Sequence, residues 1–145
     1  MINVNNIINI DKIAILIKKL SLKIDKLSNP ILEPYGLTNS QYKILKYLLF
    51  SPPETVRQVD IEHCFAMTNP TVTGLVQALE KKGLIERKVN PSDSRSKILC
   101  PSAKALDMKD LLVSLGDNLE ERLTAVLSLD EKQELLRLLK KLLRE

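Results

Sequence analysis

Two groups of side chains in this sequence invite a chemical reading. The first is His63 with Cys64, and Cys100 further along. A histidine beside a cysteine suggests a metal site or a redox thiol. Neighbouring residues on a helix point in different directions, so His63 and Cys64 do not converge on one ion. His63 is the sole histidine, and the two cysteines have no CxxC spacing. Neither a zinc ligand set, nor a nucleophile–base pair, nor a glycine-rich phosphate loop can be assembled. Glu120-Glu121 and Asp130-Glu131 fall on amphipathic stretches and read as solvated acids. This group therefore assigns no catalytic residue, no metal ligand and no cofactor. The expectation is a non-enzyme with two buried, inert thiols.

The second group reads differently. Val72, Leu75, Val76 and Leu79 recur at i, i+3, i+4 and i+7, the buried stripe of a helix. The face left over carries Thr71, Thr73, Gly74, Gln77, Ala78 and Lys81, with no acid before Glu80. Such a face can enter a DNA major groove. Gln77 can pair with an adenine edge, and a threonine methyl can meet a thymine methyl. Thr68 and Asn69, with the backbone N–H groups of the helix start, can hold a phosphate. A turn-rich segment follows, with Arg87, Lys88, Ser92, Asp93, Arg95 and Lys97. Its long basic side chains can reach phosphates or the adjacent minor groove. The carboxylate of Asp93 would repel DNA, so its expected task is to orient the Arg95 guanidinium or to cap the loop.

These residues need elements to position them. Asn69 to Lys82 predicts a helix, capped by Asn69, with Pro70 in its first turn and Gly83 just past its end. Before it, Thr38 and Gln41 make a capping box for a helix over 39–50, burying Tyr42, Leu45, Leu48 and Leu49. Ser51-Pro52-Pro53 stops that helix. A short helix over 55–64 turns Val56, Val59 and Ile61 inward and leads through residues 65–68 into the Asn69 helix. Residues 84–89 alternate as a strand does, and 96–100 return as a second strand. Between them, Asn90 to Ser94 predict a long polar tip.

Long helices flank this centre. Residues 6–32 carry Ile7, Ile10, Ile13 and Ile17 on one stripe and further apolar residues off it, with a break or bend expected at Asn29-Pro30. Residues 103–126 predict a helix bent near Gly116. Ser128 and Glu131 start a last helix bearing Leu135, Leu138, Leu139 and Leu142. The expected fold is mainly α with a small β-hairpin wing (α+β), a winged helix-turn-helix flanked by long N- and C-terminal dimerisation helices. The expected division is a dimerisation helix at 1–35, a DNA-binding domain at 36–101 and dimerisation helices at 102–145.

The central residues resemble the MarR family of bacterial regulators. The matching pieces are Gly36-Leu37-Thr38 with Gln41 and Leu45, the run Asn69 to Val76, the run Leu79 to Arg87, and Asp93 to Lys97. Ile61 to Phe65 and Cys100 to Ala105 depart from the family's usual residues. The resemblance implies a homodimer with interlocked terminal helices and two recognition helices in successive major grooves. It also implies that Arg95 enters the minor groove, that the protein represses transcription, and that a small aromatic or phenolic effector releases it from DNA.

Composition bounds the reading. The 145 residues are 44% hydrophobic and 28% charged, ordinary for a folded domain. Aromatics are 3%, too few for a base-stacking platform. The net charge of +4 permits a nucleic-acid partner without requiring one. The flanking helices hold more apolar surface than a chain this size buries alone, which predicts a homodimer. No apolar run reaches the roughly 18 residues of a membrane span, so a cytoplasmic protein with no membrane partner is expected. Double-stranded DNA is the expected partner. The rival is a winged-helix adaptor or antagonist that binds protein and never touches DNA.

Overall fold

The computed structural model describes residues 12–144. Helix α1 spans Ile13–Leu32. It runs through Asn29 and Pro30 instead of breaking there. Pro30 stands in the last turn, where the single ladder hydrogen bond that its missing N–H removes lies only two residues from the helix end. A single 3-10 turn, Glu33–Tyr35, follows, and Gly36 closes it at φ 67°.

Helix α2 spans Asn39–Phe50 behind the expected capping box. The Gln41 N–H donates to Thr38 Oγ1, and the Thr38 N–H donates to Gln41 Oε1, each at 3.2 Å. Next comes a short strand, β1 (Val56–Arg57), before α3 (Gln58–Phe65). The sequence pattern predicts a helix here from Thr55. Val56 instead pairs with Leu99, and the helix begins at Gln58. Ile61 is then fully buried, while Val59 turns outward at 38% exposure, against expectation.

Helix α4 spans Asn69–Lys81 and is capped by Thr68, one residue earlier than expected. Thr68 Oγ1 accepts the Thr71 N–H, and the Asn69 side chain donates instead to Glu62 at 3.3 Å. Past its end Gly83 adopts φ 73°, which a side chain would resist. The Lys82 ammonium donates to the Gly36 carbonyl and, at 2.7 Å, to Gln41 Oε1, fastening the end of α4 to the start of α2.

Strands β2 (Ile85–Asn90) and β3 (Asp93–Pro101) form the hairpin, and β1 adds a third antiparallel strand in the order β1-β3-β2. Asn90 pairs with Asp93, so the tip is only Pro91-Ser92 instead of a long polar loop. Side-chain oxygens tighten it: Ser92 N–H donates to Asn90 Oδ1 and Arg95 N–H to Asp93 Oδ1, both at 3.0 Å. The register jumps from Val89↔Lys97 to Asn90↔Asp93, leaving Ser94, Arg95 and Ser96 bulged out of the ladder.

Ser102 caps α5 (Ala103–Asp107), and α6 (Lys109–Thr124) follows. The break falls at Met108, and the helix passes through Gly116 without interruption. Helix α7 spans Leu129–Leu143 behind the Ser128–Glu131 capping box.

The chain forms two compact units. One runs from Leu32 to Leu115. Its core is Ile44, Leu45 and Leu48 of α2, Ile61 of α3, Val72, Val76 and Leu79 of α4, Ile85 and Leu99 of the sheet, and Leu112 of α6. The Tyr42 hydroxyl donates to the Leu112 carbonyl at 3.1 Å within it. Ile61 and Ser102 stand in the two segments that depart from the family's usual residues, yet one is core and the other a cap.

The other unit contains the described residues up to Ile31 and those from Gly116 onward. It leaves large apolar side chains open: Ile13 and Ile17 on α1, and Leu135, Leu138, Leu139 and Leu142 on α7. Helix α7 buries none of its residues. Ile7 and Ile10 lie outside the described residues.

Candidate nucleic-acid interface

Helix α4 buries Val72, Val76 and Leu79 and half-buries Leu75, which fixes the face it turns out. Thr68, Asn69, Thr71, Gly74 and Gln77 are exposed on that face. Thr68 donates its hydroxyl to Thr71 Oγ1 at 2.9 Å, ordering the first turn. Thr73 is half-buried, because Gln58, the first residue of α3, donates its side-chain amide to Thr73 Oγ1 at 2.7 Å. The same amide reaches the Asn69 carbonyl at 3.4 Å. Gln58 thus ties the two helices of the helix-turn-helix, a role no local pattern marks, because its partners lie on another element.

The wing's basic residues divide between the two faces of the sheet. Successive strand residues point to opposite faces. Arg87 faces α4 and pairs with Glu80, the acid that ends its uncharged stretch. Lys88 faces away and pairs with Glu54 at 3.1 Å, which raises its amine above the ordinary lysine range. It lines a second cavity of about 240 Å³ with Leu49, Pro52, Pro53 and Cys100. Ser92 and Asp93 stand at the tip, where the Asp93 carboxylate accepts the Arg95 N–H and so caps the loop. Among the described residues, Arg95 and Lys97 are in no ion pair.

A groove of about 310 Å³ gathers the two halves of the site. Asn69 and Gln58 line one wall, with Arg87, Arg95, Ser96 and Lys97 on the other, and Arg57 beside them. Arg57 is held by Asp60, whose carboxylate accepts the Arg57 N–H at 2.8 Å and faces the guanidinium at 3.3 Å. The backbone hydrogen bond above all keeps the Asp60 carboxyl below the usual carboxylate range. Glu62 is the acid in the groove wall, and its carboxylate accepts from Asn69. The arrangement is a cationic slot beside an acid-free helix face, suited to a polyanion whose edges present hydrogen-bonding groups.

The other chemical group is dispersed. Cys64 is exposed, against the expectation of two buried, inert thiols, because its place on α3 turns outward; Cys100 is buried as expected, and burial pushes its thiol up. No cluster of three or more His, Cys, Asp or Glu suited to a metal occurs among the described residues. Among them, no helix is long and apolar enough to cross a membrane.

Comparison with known proteins places this architecture. Residues 35–96 match the MarR family model. The multiple antibiotic resistance protein MarR of Escherichia coli K12 is 30% identical over 131 residues, covering 88% of each chain. The chain belongs to the MarR family. Its fold agrees with that of a point mutant of E. coli MarR complexed with operator DNA (TM-score 0.83, 28% identity, 99% of each chain covered). It also agrees with the S. aureus MepR–DNA complex (TM-score 0.82, 28% identity, 92% of this chain and 97% of that one). The mainly helical fold with its small antiparallel sheet is therefore the MarR winged helix. In winged-helix terms α3 and α4 form the helix-turn-helix and the β2–β3 hairpin is the wing.

Proposed function

We propose that this MarR-family regulator is a sequence-specific DNA-binding repressor that acts in the cytoplasm as a homodimer on a pseudo-palindromic operator. The observation that carries this reading is the groove that joins Asn69 of α4 to Arg95 and Lys97 of the wing. Thr71, Gln77 and the partly tethered Thr73 read base edges, Thr68 and Asn69 fix a phosphate, and Arg95 with Lys97 grips the flank. Arg87 neutralises Glu80, so the helix end meets phosphate without repulsion. The relatives solved with DNA support the same assignment.

Dimerisation supplies the second half-site, about one helical turn away. The leucines of α7 and the isoleucines of α1 are its proposed surface, since they stay open in the single chain. On this reading 1–35 and 102–145 serve the dimer, and 36–101 serves DNA. The family resemblance extends the proposal to a small aromatic or phenolic effector that lowers DNA affinity.

Selection of bound duplexes from a random pool, followed by sedimentation of the complex, tests this reading. It expects an inverted repeat bound by two chains, and loss of both dimer and binding in Leu139→Lys. A monomeric protein would overturn the dimer, and one that enriches no duplex while binding a partner protein would establish the adaptor reading instead.

A further inference from the structure

Gly74 lies in the middle of α4, on the exposed face, three residues from Thr71 and three from Gln77. Glycine inside a helix is less stable than alanine, so its presence asks for a reason. Backbone conformation is not that reason, because Gly74 is absent from the positive-φ residues that include Gly36 and Gly83. Internal packing is not the reason either: a Cβ built on Gly74 meets nothing within 4 Å. Neither backbone nor internal packing calls for glycine here, which leaves the exposed face on which it stands.

We infer that the operator approaches the Cα of Gly74 more closely than a Cβ would permit, and that the group seated there is a thymine C5-methyl. This rests on the DNA-binding reading above. The centre of a recognition helix faces base edges. Most major-groove edges offer donors or acceptors, which glycine's missing side chain cannot answer. The thymine methyl is the apolar protrusion among them, and a bare Cα leaves room for it. Gly74 is then a specificity-determining residue. It demands thymine at one position of each half-site by shape, while Gln77 reads a neighbouring base by hydrogen bonds.

The test compares full-length wild type with Gly74→Ala by thermal melting and by titration of the selected operator. Parallel operators replace each half-site thymine in turn with deoxyuridine, which lacks only the methyl. The variant is expected to melt about 3 °C higher and to bind the operator about tenfold more weakly. One deoxyuridine position per half-site should restore the variant's affinity while weakening the wild type. Equal affinity of the two proteins, a lower melting temperature of the variant, or a loss that no deoxyuridine position repairs would each overturn the inference while leaving DNA binding intact. A wild type that selects no duplex would overturn both.

Discussion

The side-chain amide of Gln58 donates to the Thr73 hydroxyl at 2.7 Å, joining the first turn of α3 to the middle of α4. Since the same amide reaches the Asn69 carbonyl, Gln58 braces α4 at two points and holds the Thr73 hydroxyl, and with it the direction of the Thr73 methyl. Gln58→Leu should weaken operator binding about fivefold, the scale of one hydrogen bond. Because the two residues act as a unit, Thr73→Val should add little on top. Titration of wild type, both single variants and the double variant checks this. Fully additive losses would refute the coupling.

Arg95 and Arg87 are both wing arginines, yet their surroundings assign them different tasks. Arg95 is bulged from the ladder and outside any ion pair among the described residues, whereas Arg87 is paired with Glu80. Arg95→Ala should weaken binding on every sequence and reduce the salt slope by about one ion. Arg87→Ala should weaken binding by exposing the Glu80 carboxylate, so adding Glu80→Gln should recover much of the loss. Gln77→Ala should mainly relax base preference. If Glu80→Gln gives no recovery, Arg87 acts as a direct phosphate contact and the division of tasks is wrong.

The Arg57–Asp60 contact at the start of α3 predicts a pH dependence. The Asp60 carboxyl is depressed below its ordinary 3.8, chiefly by the Arg57 backbone N–H. A depressed carboxyl contributes stability above its ordinary pKa and loses it as pH falls through the lower folded value. Asp60→Asn should therefore cost about 1 kcal/mol at neutral pH, and the gap to wild type should shrink below that range. Urea melts at about pH 7 and about pH 3 measure the gap. A gap that widens in acid would contradict this sign.

The cysteines should differ sharply toward a thiol reagent. Cys64 is exposed, while Cys100 is buried with its thiol pushed up. At neutral pH one thiol should react promptly and the second only on unfolding. Two fast thiols in the native protein would contradict the buried, inert reading of Cys100.

What could be read from sequence was local. Thr38 with Gln41 and Ser128 with Glu131 announce their helices because both partners of each cap lie within one turn. The buried stripe of α4 is equally visible, since a helix repeats within four residues. Strand β1 was not visible. Its two residues owe their conformation to Leu99 and Ile98, far along the chain. The cap of α4 is Thr68, and the Asn69 side chain turns instead to Glu62 on a different helix, a contact that no local pattern marks. Arg87 and Lys88 looked alike as neighbouring cations, and only the pleat of β2 sends one to Glu80 and the other to Glu54. The residues of the face were legible, then, but not the contacts that hold them in place.

On the proposed function the α4 face and the wing together bind duplex DNA in a sequence-dependent way. Titration of the selected operator and of a scrambled duplex, from roughly 50 to 200 mM salt, tests it most directly. The operator should be bound at least about a thousandfold more tightly than the scrambled duplex, with log affinity falling linearly in log salt for both. Equal, weak binding of the two duplexes across that range would contradict it.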